Sequence, residues 1–141
     1  MIKKTYGKWE IPESYTILNT YRELMEYRIA KAPDVPVFRS KNHSTGEELS
    51  VLPEEFMRQT DGLCAWLAGK GYRRTHIAIL GENSYQWVLL MFGVICSDNV
   101  LVTIDKGLEF RTIQSIVGRS DSRALFYSKG YEETAALLKE Q

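Results

Sequence analysis

The residues best suited to chemistry stand just behind two short apolar runs. Gly81-Glu82-Asn83-Ser84 follows His76 to Leu80, and Asp105-Lys106 follows Val100 to Ile104. Glycine can take backbone angles closed to other residues, and Asn83 or Ser84 can accept from the free amides of a helix starting behind it. Those amides, with the positive end of the helix dipole, suit an anion or a nucleotide. Gly81, Glu82, Asn83 and Ser84 are therefore put forward as a ligand-facing elbow, although capping alone would explain Asn83. Asp105 and Lys106 could face the same ligand, yet a loop pair that starts the next helix is the simpler reading. Histidine as a residue type can serve as an acid or base near neutral pH, but no partner in the sequence defines a reaction for His76, so it reads as the opening of a strand. His43 reads as a solvated turn residue. No residue is assigned as catalytic, cofactor-binding or metal-ligating.

An elbow of this kind needs a rigid frame. Ile77 to Leu80 and Val100 to Ile104 are continuous apolar runs, as in strands covered on both faces of a parallel sheet. Between them Tyr85 to Cys96 is apolar nearly all round, which predicts a helix buried between layers. The three make a βαβ unit, with the elbow at the carboxyl end of its first strand, where open α/β sheets bind ligands. Trp87, Met91 and Val94 recur at helical spacing. The stripe could line a ligand tunnel, but it reads first as core.

The same reasoning covers the remaining segments. Residues 1–15 lack periodicity and are expected to form an irregular strap pinned by Trp9 and Tyr15. Thr20 and Glu23 stand in capping-box spacing, and Tyr21, Leu24, Met25, Ile29 and Ala32 share one face of a helix that Pro33 stops. Val35 to Ser40 and Glu47 to Val51 read as a hairpin at the sheet's edge. Pro53 opens an amphipathic helix carrying Phe56, Thr60, Leu63, Cys64 and Leu67, ending near Gly69 or Gly71. Further on come a helix with Phe110, Ile113, Ile116 and Val117, a buried strand from Ala124 to Tyr127, and a last helix from Tyr131 to Glu140. The predicted fold is α/β, with layered βαβ units and a mainly parallel sheet flanked by helices, in a single domain over residues 1–141.

Composition narrows the function classes. Eighteen basic residues balance eighteen acidic ones, which leaves no electrostatic footprint for nucleic acid or an anionic membrane. Lys70, Arg73 and Arg74 read as a solvated helix end. Hydrophobic residues at 44% and charged residues at 26% are ordinary for a globular domain. Cys64 and Cys96 fall in apolar helical patterns and read as small buried hydrophobes, consistent with a reducing cytoplasm. The polar start after Met1 does not resemble a secretory signal, and the run from Trp87 to Cys96 is far shorter than the roughly 18 residues of a membrane span.

Several of these segments together resemble a known family. GENSYQW at Gly81 to Trp87, followed by VTIDK at Val102 to Lys106, is similar to the N-terminal region of adenylate-forming (AMP-binding) enzymes, most of all acyl-CoA synthetases of the long-chain fatty acid ligase type. KAPDVPVF (Lys31 to Phe38), TGEELSV (Thr45 to Val51), LAGKGYRRTHIAI (Leu67 to Ile79) and IQSIVGRSDSRALFYS (Ile113 to Ser128) extend the likeness across nearly everything from Tyr15 onward. Thr103 stands where the family usually has proline, and Ser97-Asp98-Asn99 replaces its small-residue turn. Both departures bear on local turn geometry.

The resemblance implies a parent enzyme that couples a carboxylic acid, expected to be a fatty acid, to AMP and then to coenzyme A. ATP, Mg²⁺ and coenzyme A are the parent's cofactors. The chain has no Ser/Thr/Gly-rich loop with a following lysine, no GxxxxGK and no GxGxxG, and phosphoryl chemistry needs such a cradle. It is thus expected to be a truncated, inactive N-terminal portion with no cofactor of its own. Its partner would be the rest of the synthetase, and an uncovered face would favour self-association. Two other readings are a free-standing α/β module binding a nucleotide or anion at the elbow, and a structural or oligomerising domain without a ligand.

Overall fold

Local rules set most of the helix starts. A computed structural model of the protein describes residues 5–6, 9–10, 16–41 and 45–139, the first four by backbone alone. Thr20 Oγ1 accepts from the Glu23 amide at 3.1 Å and starts α1 (Tyr21–Lys31). The returning arm of the box reaches one residue further back than the spacing predicts, because Glu23 Oε2 accepts from the Asn19 amide at 2.6 Å. Pro53 sits in the first turn of α2 (Pro53–Gly69), where its missing N–H has no helical partner to lose. Ser84 caps α3 (Tyr85–Cys96). Two further helices, α4 (Phe110–Arg119) and α5 (Glu132–Lys139), follow later in the chain.

Near the start, β1 (Thr5–Tyr6) and β2 (Trp9–Glu10) pair antiparallel, in a stretch expected to be irregular. The rest of that strap, the pinning by Trp9 and Tyr15, the turn position of His43, and Glu140 at the last helix's end lie outside the described residues. Next, β3 (Phe38–Lys41) and β4 (Glu48–Val51) form the expected hairpin, with Phe38 opposite Val51. It stands as its own two-stranded sheet rather than at the edge of the main one. Its apolar end explains this. Val51, Phe38 and Val37 pack with Met25, Phe56 and Tyr85, so the hairpin is held by the helices α1, α2 and α3.

The main sheet is parallel, with β5 (His76–Leu80) between β6 (Val100–Ile104) and β7 (Ser122–Tyr127). Alternation along β5 feeds two cores. Ile77 packs with Leu67 of α2 and Val94 of α3, while Ala78 and Leu80 pack with Ile104 and with Ile113 of α4 on the other face. Tyr131 and Leu138 of the last segment join that second core. The result is helices on both faces of a parallel sheet, as expected. Burial on both faces, however, holds only for β5: Val100 of β6 is 48% exposed, and among the described residues β6 pairs on one side alone.

Two close fits set the frame. α2 and α3 meet at Gly93, where an added Cβ would lie 2.3 Å from Leu63 Cδ2. At the turn before β6, Asp98 takes a left-handed φ of 60°, which Asp tolerates, and so performs the service of the small residue it replaces. Asn99 then locks the corner. Its side chain accepts from the Thr75 amide at 3.1 Å and from Thr75 Oγ1 at 3.0 Å, and donates to the Tyr72 carbonyl at 3.2 Å and to Ser97 Oγ at 2.9 Å.

Candidate functional site

The strand order places the elbow. From β5 the chain moves outward to β6, then crosses back to lay β7 on the other side of β5, so the order reverses beside β5. In open α/β sheets the crevice at the carboxyl end of such a reversal is the usual ligand site. Three short segments converge there: Gly81 to Ser84 after β5, Asp105 to Gly107 after β6, and Ser128 after β7.

Gly81 is needed at its place. A Cβ on it would fall 2.8 Å from Ser128 Oγ and 3.2 Å from the Ser128 amide nitrogen, and the second of these is backbone that cannot swing aside. The two segments are tied directly: the Ser128 amide donates to the Leu80 carbonyl at 3.1 Å, and Ser128 Oγ accepts from the Glu82 amide at 3.3 Å. Ser128 was not singled out from the sequence. Only its place one residue beyond an apolar run, like that of Gly81, could have marked it.

Glu82 and Lys106 form an ion pair across the ends of β5 and β6. The hydrogen bond from Lys106 to Glu82 raises the lysine's pKa, so Lys106 stays an ammonium and is not a base. Asp105 accepts from the Gly107 amide at 2.8 Å, a loop role, but α4 has Glu109 at its N-cap, so the Asp105-Lys106 pair does not start the next helix as expected. Ser84 Oγ accepts from the Trp87 amide at 3.2 Å, so Ser84 caps the helix and Asn83, exposed, does not. The capping explanation for Asn83 is therefore corrected. Asn83 is left as an exposed side chain on the elbow's outer rim.

Behind the elbow a polar chain runs into α2. The ring of Tyr85 packs beside Phe38 and Phe56, and its hydroxyl donates to Gln59 Oε1 at 2.7 Å. Gln59 donates in turn to Glu55, which also accepts from Arg58 at 2.7 Å. Those bonds, from Arg58 first and Gln59 second, hold the Glu55 carboxyl down at about 2.

The other candidates lie apart. His76 is at the opposite end of β5 with Nδ1 against the Ser120 carbonyl, a strand-opening role. Val94 is core, fully buried, whereas Trp87 and Met91 are half-buried, so α3 is less enclosed than its apolar sequence predicts. A groove of about 790 Å³ opens at the far end of α3, between Leu18, Tyr21 and Leu24 on one side and Ile95, Cys96 and Asp98 on the other. One twelve-residue helix, about 18 Å, separates it from the elbow. Among the described residues no three His, Cys, Asp or Glu side chains are grouped to hold a metal ion, and no helix is long and apolar enough to cross a membrane.

The elbow thus stands at the carboxyl edge of β5, beside a reversal of strand order. The comparisons give it a family. Residues 25–141 match the AMP-binding enzyme family, and the chain belongs to it. Its structure is similar to that of a long-chain-fatty-acid CoA ligase from Rhodopseudomonas palustris CGA009, with a TM-score of 0.76 and 18% identity over 86% of this chain and 30% of that one. The N-terminal domain of FACL13 from Mycobacterium tuberculosis is similar at a TM-score of 0.70 and 18% identity, covering 84% of this chain and 29% of that one. The anthranilate CoA ligase AuaEII, in complex with anthranoyl-AMP, is similar at 0.72 and 15% identity, covering 84% and 22%. At these identities the likeness speaks for the fold, and the chain spans less than a third of each of these structures. No curated protein matches the sequence.

Proposed function

We propose that the chain forms the front portion of an ATP-dependent acyl-CoA synthetase. The family match over residues 25–141 carries this reading. Such an enzyme joins a carboxylic acid to AMP, releasing pyrophosphate, and then passes the acyl group to the thiol of coenzyme A, releasing AMP. The acid is a fatty acid, a reading supported by the GENSYQW elbow and the Asp105-Lys106 pair, which resemble fatty-acyl ligases most. ATP, Mg²⁺ and coenzyme A are held by further chain, since no phosphate cradle stands in these residues. The elbow Gly81 to Ser84 faces the ligand as part of the wall of the completed site. Alone, residues 1–141 are inert, and the balanced charge fits a cytoplasmic protein without nucleic-acid or membrane partners.

Pyrophosphate exchange into ATP, driven by fatty acids of graded length, tests the reading on the full open reading frame and on Met1–Gln141 separately. Exchange by the long protein alone, varying with acyl length, is expected. Exchange driven only by an aromatic or amino acid would overturn the fatty-acid assignment, and exchange by the 141 residues alone would overturn the division of labour.

A further inference from the structure

Cys64 of α2 touches α3 at Gly93, three residues before the second cysteine, Cys96. Cys64 Sγ donates to the Gly93 carbonyl at 3.4 Å, across the crossing of α2 and α3. Gly93 has no side chain to hold the helices apart, and a methyl group there would already overlap Leu63. Cys96 follows Gly93 by three residues, on the same side of α3, and a helical side chain leans toward the helix N-terminus. Its thiol is thus directed back over the turn that Cys64 contacts. Cys96 raises the pKa of Cys64, and Arg22 and Asp61, ion-paired between α1 and α2, act on both thiols, which groups the four side chains together. Cys96 also lines the groove beside Leu24 and Asp98, so a small reagent can reach it from solvent.

We propose that Cys64 and Cys96 are a reversible staple, closing to a disulfide between α2 and α3 when they meet a low-molecular-weight disulfide such as oxidised glutathione. The Cys96 thiolate attacks one sulfur of the reagent, forming a mixed disulfide and expelling one small thiolate. The Cys64 thiolate then attacks Cys96 Sγ and expels the second. The two protein thiols are oxidised, the reagent is reduced to two thiols, and the two protons lost by the protein end on those thiols. Disulfides require Cβ atoms within about 3.5–4.5 Å, a separation that a glycine-mediated helix crossing can supply. Burial, the largest influence on both thiols, holds them protonated, so closure is a slow response to sustained oxidation rather than a fast sensor.

Incubation of the folded protein with oxidised glutathione, followed by trypsin and mass spectrometry without reductant, decides the matter. The peptides Gln59–Lys70 and Thr75–Lys106 carry one cysteine each. The expected product is the two peptides linked within one chain, with two free thiols lost, no glutathione retained and full reversal by dithiothreitol. Cys64→Ser should stop at a glutathione adduct on Cys96. A stable adduct on wild-type Cys96 beside a free Cys64, a link only between separate chains, or two unreacted thiols would each overturn the proposal.

Discussion

Three single residues carry the geometry at the carboxyl edge and the corner before β6, and each makes a different physical demand. Gly81 is required for proximity to Ser128. Gly81→Ala should destabilise by about 1–3 kcal/mol through overpacking, measured by urea unfolding. Ser128→Gly should relieve only part of the loss, since the Ser128 backbone nitrogen remains 3.2 Å from the new methyl. Ser84→Ala removes a cap and should cost about 1 kcal/mol in the same assay, whereas Asn83→Ala should leave stability unchanged and, in the proposed longer synthetase, weaken ligand binding. Asn99, itself buried, is the costlier residue, because its side chain satisfies the half-buried Thr75 and Tyr72 groups together. Asn99→Ala should lose about 1–3 kcal/mol for each polar group left buried without a partner. An unchanged unfolding midpoint in Asn99→Ala would show that water replaces the side chain.

At the scale of elements, the sequence revealed types and order, while contacts between elements escaped it. The βαβ unit was legible because apolar runs of strand length and a Gly-Glu-Asn-Ser break are local signals, and Pro53, Thr20 and Ser84 mark helix starts by their own chemistry. That the β3–β4 hairpin leaves the main sheet was not legible, since Met25 and Tyr85, which with the neighbouring Phe56 hold it, lie 13 and 34 residues from its ends at Phe38 and Val51. The exposure of β6 escaped for a related reason: an edge strand and a central strand can share one apolar pattern. The chain from Tyr85 through Gln59 to Glu55 joins α3 to α2 and was equally hidden. Its effect can be titrated. The Glu55 carboxyl is held at about 2 against an ordinary 4.5, so the folded form binds its proton less readily than the unfolded. Its contribution is full above pH 4.5 and disappears as pH falls through about 2. Carboxyl-carbon NMR should show this midpoint, and Arg58→Ala should move it up toward 4.5; an unmoved midpoint would discard the Arg58 hydrogen bond as its main cause.

For the whole molecule, the sheet's two outer strands govern behaviour in solution. Among the described residues β6 and β7 each pair on one side only, leaving rows of backbone donors and acceptors open. Beside them lie Val100 at 48% exposure, Tyr127 at 48% and, on α2, Trp66 at 48%, its ring edge-on to Phe126 of β7 at 6.1 Å. Open edges next to apolar side chains favour further pairing, and no net charge opposes association. The isolated chain should therefore self-associate, its apparent mass rising with concentration in light scattering and sedimentation. Placement matters as well as amount. Lysine at Tyr127, an exposed site on β7, should suppress association with little loss of stability, as edge lysines do elsewhere. The same change at Leu49, on the separate hairpin, should leave it intact. A monomer at every concentration would mean that the outer strands are closed by something other than a partner, and an effect of Leu49→Lys equal to that of Tyr127→Lys would move the contact from the parallel sheet to the hairpin.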